Sequence, residues 1–333
     1  MKKILVAGAG GQIGTELIPA LRQIYGTDNV VATDIREDAS QFFTDGGPFE
    51  LLDALDGEKT RNLIKKYNID TVFNMVALLS AVGEKNPMLS WKVNMGALIN
   101  LLELSKELNL SLFTPSSIGA FGESTPHDNT PQDTIQRPGS IYGVTKVAGE
   151  LLCDYYFNKY GVDTRGVRLP GIISNVALPG GGTTDYAVDI FYEAIKCKKY
   201  TANLKPGTYL DMMYMPDATK ATVELMEANP DKLIHRNCFN VAAMSFDPEG
   251  IAMEIRKHIP EFQLSYEIDD VRQAIANSWP NKMDDTCARE EWGWKPDWDL
   301  PKMTVDMLAV LNRKLNSCDC DCGDAGKCCG KNN

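Results

Sequence analysis

Four apolar residues in a row, Ile4-Leu5-Val6-Ala7, run into Gly8-Ala9-Gly10-Gly11-Gln12-Ile13-Gly14 and then into a stretch with helical spacing. A strand that is apolar at every position is expected to be buried on both faces. The chain is therefore expected to begin inside a sheet covered by helices on either side. The pattern then repeats. Strands are predicted at 3–7, 30–33 (ending on Asp34), 49–52 (ending on Asp53), 70–76, 110–115 and 164–169. Helices are predicted between them at 12–25, 57–67, 88–108 and 141–160. This alternation with short connections predicts an α/β fold, a doubly wound parallel sheet with right-handed crossovers.

After Pro170 the rhythm changes. A flexible loop at 180–184 is followed by helices expected at 185–198, 216–228, 247–258 and 300–315 and short strands at 207–214, 238–242 and 264–268. That reads as a smaller α+β lobe with returns to the main sheet. The expected division is 1–170 for the nucleotide-binding domain, 171–315 mainly for the substrate lobe, and 316–333 for a disordered, cysteine-rich tail.

The glycines follow the spacing G-x-x-G-x-x-G at Gly8, Gly11 and Gly14, between a strand and a helix. Small residues there let the backbone approach a pyrophosphate, and the helix N-terminus supplies free N–H groups and a favourable dipole. Such loops also serve as ordinary turns, but Asp34 narrows the reading. It lies about 20 residues past Gly14, at the end of the second strand, where a carboxylate accepts hydrogen bonds from the adenosine ribose hydroxyls. It would repel a 2′-phosphate, so NAD is expected over NADP. Arg36 is the one nearby residue able to pair with that phosphate.

Ser116 and Ser117 end the fifth strand, and ligands of doubly wound sheets sit at the carboxyl ends of strands. Further on stand Tyr142 and Lys146, one helical turn apart on one face of the predicted 141–160 helix. A phenol is a poor base at neutral pH until a neighbouring cation favours its ionised form. The lysine supplies that cation.

Composition closes off other classes. A net charge of −11 argues against a phosphate-backbone binder. The apolar run after Lys3 breaks at Gly8, too soon for a signal peptide, and no stretch approaches the ~18 apolar residues of a membrane span. A cytoplasmic enzyme is expected. Cys153, Cys197, Cys238 and Cys287 are scattered without metal-ligand spacing and read as buried small apolar residues. His127, His235 and His258 are widely separated, so no metal site is expected.

The glycine loop, the Ser116-Ser117 pair and the Tyr142/Lys146 pair, in that order, resemble the catalytic set of the extended short-chain dehydrogenases/reductases. The second half is similar to the short-chain, metal-independent L-threonine 3-dehydrogenases. The matching runs are Leu78-Leu79-Ser80-Ala81, Pro179-Gly180-Gly181-Gly182-Thr183-Thr184-Asp185-Tyr186-Ala187, Ser278-Trp279-Pro280, Trp292-Gly293-Trp294 and Met303-Thr304-Val305-Asp306-Met307-Leu308. The likeness covers about residues 1–315. Ala7 departs from the threonine common before the first glycine there.

The resemblance implies a Rossmann fold and a set of roles. Tyr142 as phenolate would take the proton of a substrate hydroxyl. Lys146 would favour the phenolate and reach the nicotinamide ribose. Ser117 would orient the reacting oxygen. Gly8, Gly11, Gln12, Ile13, Gly14, Asp34, Asp53 and Ala77 would hold NAD, together with Tyr142 and Lys146. Ser80, Ser116, Ser117, Tyr142, Thr184 and Trp279 would hold the substrate, L-threonine. Asn94 would be structural. A homodimer formed through helices 88–108 and 141–160 is implied.

Two rival readings share the scaffold: a nucleotide-sugar epimerase or dehydratase, and a non-catalytic NAD-sensing regulator. Local alternatives also stand. Asp53 could cap a loop, Thr183 and Thr184 a helix, and Trp279 could be core. The tail cysteines Cys318, Cys320, Cys322, Cys328 and Cys329 could bind soft metals, though not with structural-zinc spacing.

Overall fold

The computed structural model describes residues 1–177, 180 and 182–318. The first half contains β1 (Ile4–Ala7), α1 (Gly14–Tyr25), β2 (Val30–Asp34), β3 (Phe49–Leu51), α2 (Gly57–Tyr67), β4 (Thr71–Asn74), α3 (Ser80–Lys85), α4 (Pro87–Leu108), β5 (Ser111–Phe113), β6 (Ser116–Ser117) and α5 (Ile141–Tyr160). Then come β7 (Thr164–Arg165), β8 (Val167–Leu169), β9 (Gly171–Ile173), α6 (Tyr186–Cys197), β10 (Lys199–Ala202), β11 (Leu210–Tyr214), α7 (Met215–Glu227), β12 (Phe239–Asn240), β13 (Met244–Phe246), α8 (Pro248–Arg256), β14 (Gln263–Tyr266), α9 (Asp270–Asn277), α10 (Thr286–Trp292) and α11 (Leu300–Cys318).

The main sheet has six parallel strands in the order β3-β2-β1-β4-β5-β7. The chain is an α/β protein with the Rossmann arrangement, and the order reverses between β1 and β4, where such sheets bind ligands. The unbroken apolar run of β1 has its expected cause. Ile4 and Val6 point into one core with Leu17, Ile18 and Leu21 of α1. Leu5 and Ala7 point into another with Leu63 of α2, Leu98 of α4 and Cys153 of α5. A third core gathers α6, α8 and α11 around Phe191, Met212 and Trp279.

Helix boundaries follow local chemistry. Asp56 and Ser140 cap α2 and α5 by accepting the N–H groups of Lys59 and Gly143. Asn68, Asn109 and Gly161 end α2, α4 and α5 with positive φ.

Two predicted strands prove to be broken. The 110–115 strand divides at Thr114-Pro115, because proline has no N–H for the ladder. The 164–169 strand divides at Gly166, whose N–H instead donates to the Arg236 carbonyl. As a result β8 pairs with β6 on one side and β12 on the other in a separate three-stranded sheet. Helices α3, α9 and α10 were not expected. The last helix continues past 315 to Cys318, which corrects the expected start of the disordered tail, while 319–333 lie outside the described residues. Among the described residues no helix is long and apolar enough to cross a membrane.

Candidate active site

The glycine loop is held by backbone. Gly8 takes φ +81°, and a Cβ there would lie 2.9 Å from the Met75 carbonyl carbon, so the loop rests directly on the end of β4. A Cβ on Gly14 would collide with the Ala9 carbonyl. Gly8 and Ala9 both donate to the Thr33 carbonyl at 2.9 Å. By contrast a Cβ on Gly11 would meet only the Gly8 carbonyl oxygen, at 3.4 Å. Gly11, Gln12, Ile13 and Gly14 line the main cleft, and Gln12 Nε2 is buried there without a hydrogen-bond partner. A bare backbone cradle at a helix start with an orphaned buried donor fits a dinucleotide pyrophosphate.

Asp34 lies at the far end of this loop, almost fully buried. It accepts the Gly10 N–H at 2.8 Å, the Arg36 N–H at 2.9 Å and Arg36 Nε at 3.2 Å. Arg36 also donates to the Gly10 carbonyl at 2.6 Å. Arginine and aspartate thus form a clasp over the loop, a pairing that sequence reasoning had treated only as a competitor for phosphate. Asp53 is exposed and accepts the Leu55 N–H at 2.9 Å. It lies beyond the cleft lining, and its observed bond is the loop-capping one.

The first turns of α5 carry the reactive pair. Tyr142 and Lys146 both line the cleft. Lys146 Nζ donates to the Pro115 carbonyl at 2.7 Å and stands 5.4 Å from the Tyr142 ring centroid. The Tyr142 ring lies over Gly119. A Cβ added to that glycine would sit 3.2 Å from Cδ1 and Cε1 of the ring and 3.5 Å from Ser117 Oγ. The Tyr142 ring and the Ser117 hydroxyl thus both lie against Gly119, and both side chains line the same cleft. Ser117 Oγ accepts the Gly119 N–H at 3.1 Å, which leaves its own proton free to donate.

Ser116, expected to help hold substrate, lines the cleft, and its hydroxyl donates into the interior behind it, to Glu150, two turns beyond Tyr142 on α5. Glu150 is bound by Arg168 at 2.8 Å and by Gln136 at 2.8 Å. Arg168 is the register partner of Ser116 in the β6–β8 pair and also bonds Asn240 at 3.0 Å. Burial alone would depress the Arg168 guanidinium, but Glu150 more than offsets it and holds it above its ordinary value. This buried, fully partnered unit ties α5 to the strand that carries Ser117. Asn94 accepts the Leu78 N–H at 2.8 Å and donates to Leu78 O and Thr145 Oγ1. It thus fixes the turn before Ser80 against α5, as expected of a structural residue.

The opposite wall comes from distant segments. Ala77, Ser80, Thr183, Thr184 and Trp279 line the cleft, whose cavity volume is about 220 Å³. Trp279 belongs both to the third core and to the wall. Thr184 packs on Gly171. Sequence reasoning missed Leu169, Pro170 and Ile172, and gave Asp185 no role. Asp185 is the single carboxylate, and Lys146 the single ammonium or guanidinium, among the described residues lining the cleft. Asp185 accepts the Gly182 N–H at 2.5 Å. Pro179 and Gly181 of the same run lie outside the described residues.

A family model for the NAD dependent epimerase/dehydratase family matches residues 4–242. An uncharacterised epimerase/dehydratase of Staphylococcus haemolyticus is 55% identical over 314 residues, covering 94% of this chain and 99% of that protein. Among solved structures, an L-threonine dehydrogenase from Clostridium difficile is 56% identical with a TM-score of 0.93, covering 94% of this chain and 98% of that one. A monomeric L-threonine 3-dehydrogenase from a metagenome, in its apo form, is 44% identical with a TM-score of 0.89, covering 93% and 99%.

Proposed function

This chain belongs to the NAD dependent epimerase/dehydratase family, an NAD-dependent oxidoreductase of the extended short-chain type, and on that footing we propose that it oxidises L-threonine at C3 to 2-amino-3-oxobutanoate. The observation that carries the reading is the gathering of Tyr142, Ser117 and Lys146 in one cleft, with the Tyr142 ring and Ser117 Oγ both against Gly119, in a chain 56% identical to an L-threonine dehydrogenase.

Bound NAD⁺ supplies the acceptor for the hydride that leaves C3. The glycine loop and Gln12 hold its pyrophosphate, Asp34 takes the adenosine ribose, and Asp53 and Ala77 complete the nucleotide site. At the substrate, Ser117 donates to the C3 oxygen and orients it. Tyr142 accepts the hydroxyl proton at Oη as the carbonyl forms. Lys146, anchored on the Pro115 carbonyl, favours the phenolate by its charge and reaches the nicotinamide ribose. Ser80 and Thr184 offer hydroxyls to the amino acid's carboxylate, Asp185 offers an acceptor to its ammonium, and Trp279 closes the pocket. The Ser116 hydroxyl, committed to Glu150, contributes by holding β6 in place.

A nucleotide sugar fits less well. Its diphosphate requires several cationic or N–H donors, whereas Lys146 is the cleft's lone cation among the described lining residues. The test is NADH formation scanned over L-threonine, other small hydroxy amino acids and UDP- or GDP-sugars. Turnover confined to L-threonine and close analogues supports the reading. Epimerisation of a nucleotide sugar without net NADH, or NAD binding without turnover of anything, rejects it.

A homodimer through α4 and α5 belongs to the same proposal. Met88, Leu89, Trp91 and Ile99 on α4 and Val144, Leu151 and Tyr155 on α5 are exposed, Met88 at 74% and Leu151 at 63%. That is more apolar surface on adjoining helices than a monomer ordinarily leaves in water. Light scattering should give twice the chain mass, and Leu151→Glu should halve it. A wild-type monomer, the state named for the metagenomic relative, would remove the dimer from the reading.

A further inference from the structure

Far apart in sequence, His235, Cys287 and Glu291 converge on one partly buried spot between the connection after α7 and the helix α10. Their ligand-capable atoms all lie within 4.8 Å of one another. We propose that these three side chains form a binding site for a single divalent cation of the zinc class, with a fourth position left to water.

Each donor is held by something other than the ion. Cys287 and Glu291 are four residues apart on α10 and so share one helical face. Glu291 Oε2 accepts the backbone N–H groups of Ile234 at 2.5 Å and His235 at 3.1 Å. That fixes the carboxylate and aims Oε1 at His235 Nδ1, which it contacts. The imidazole is braced edge-on against the Phe239 ring at 6.2 Å. Its second nitrogen, Nε2, lies 3.6 Å from the Asp133 carboxylate. An imidazole with one nitrogen on a carboxylate, a second carboxylate at the other and a thiol close by resembles a metal-ligating histidine with an outer partner.

The donor set is chemically selective. One thiolate, one imidazole and one carboxylate suit zinc and its borderline-soft neighbours, and disfavour magnesium or calcium, which take oxygen ligands. Tetrahedral coordination at ~2.0–2.3 Å puts ligand atoms roughly 3.5 Å apart, so about an ångström of side-chain rotation opens the Nδ1–Glu291 contact and brings the wider pairs in. On binding, the cation replaces the Nδ1–Glu291 contact, and the Cys287 thiol releases its proton to solvent. The site would staple α10 to the 234–235 turn, away from the cleft.

The test titrates full-length, reduced, metal-stripped protein with Co²⁺ and reads the thiolate-to-cobalt charge-transfer absorption. The tail cysteines contribute equally to every variant, so the difference between variants isolates this site. Wild type should bind one more equivalent than Cys287→Ser, Cys287→Ala or His235→Ala, and Zn²⁺ should displace it. Asp133→Asn should weaken that equivalent by roughly tenfold or more. The cysteine variants should keep wild-type NAD-dependent turnover, which also shows that they fold. Equal Co²⁺ uptake and equal absorption in wild type and a folded cysteine variant would overturn the proposal and leave a hydrogen-bonded histidine–glutamate pair.

Discussion

The cofactor wall of the cleft, from Gly8 to Gly14, is set by backbone. Its shape follows from one positive φ, one close approach to β4 and two backbone hydrogen bonds to the Thr33 carbonyl. The catalytic and substrate wall is set by side chains. Ser80, Ser117, Tyr142, Thr184 and Trp279 arrive from five separate segments and stay in place through partners such as Glu150, Arg168 and Asn94. A backbone site tolerates almost any side chain that does not fill it. A side-chain site depends on each residue of its supporting network, so substitutions on the two walls should separate cofactor binding from chemistry.

The largest separation should come from Tyr142→Phe. Removing the base should lower kcat by roughly 10²–10⁴-fold, while NAD binding, measured by fluorescence quenching, stays near wild type. A matching loss of NAD affinity would show that the two walls are not independent. Next comes Glu150→Ala. It strands the Arg168 charge and the Ser116 hydroxyl in a buried place, and breaking a buried pair costs about 3–5 kcal/mol. The denaturation midpoint should drop sharply. In Glu150→Gln, which keeps an acceptor for Ser116 and Arg168, part of that stability should return.

The same contrast explains what was legible in the chain. Runs such as Ile4–Ala7 and Gly8–Gly14 carry their meaning within a few residues, because period and spacing act locally. So the main sheet, the order of its helices and the α1 loop could be read directly. Tyr142 and Lys146 were legible for the same reason, being one turn apart. The bond from the Ser116 hydroxyl to Glu150 was not legible because its acceptor lies 34 residues away, and nothing local marks Glu150 as its partner. Asp185 was quoted within its run but given no role, since its standing as the cleft's carboxylate appears only when all the lining residues are assembled. His235 and Glu291 are 56 residues apart, so nothing local in the chain shows that they meet. Helices α9 and α10, of eight and seven residues, are too short for periodicity to stand out.

A smaller effect should appear at Thr184→Val, which keeps shape but removes one hydroxyl. One hydrogen bond to a charged group is worth about 1.5–3 kcal/mol, so the KM for threonine should rise roughly 10–100-fold while the KM for NAD holds. If both KM values rise together, Thr184 acts through the closure of the whole cleft rather than on the substrate wall alone.

The last effect is one of stability rather than activity, and it tests how the second lobe supports Trp279. Asp211 on β11 is fully buried, and its Oδ2 accepts the Met283 N–H at 2.8 Å, anchoring the segment just after Trp279. Its other oxygen has no partner. Burial, with the Asp285 charge adding and Lys282 opposing, pushes its carboxyl up to about 8. In the unfolded chain the same group titrates near ~3.9. The folded protein therefore holds a proton that the unfolded chain gives up between those values, so its contribution to stability is complete below about pH 4 and is lost as pH rises towards 8. Asp211→Asn keeps a carbonyl oxygen for the Met283 N–H and has no proton to lose. Its melting temperature should gain on wild type steadily from about pH 5 to about pH 8. A constant offset across that range would mean that Asp211 is charged in the folded protein and that the 279–283 segment rests on a carboxylate.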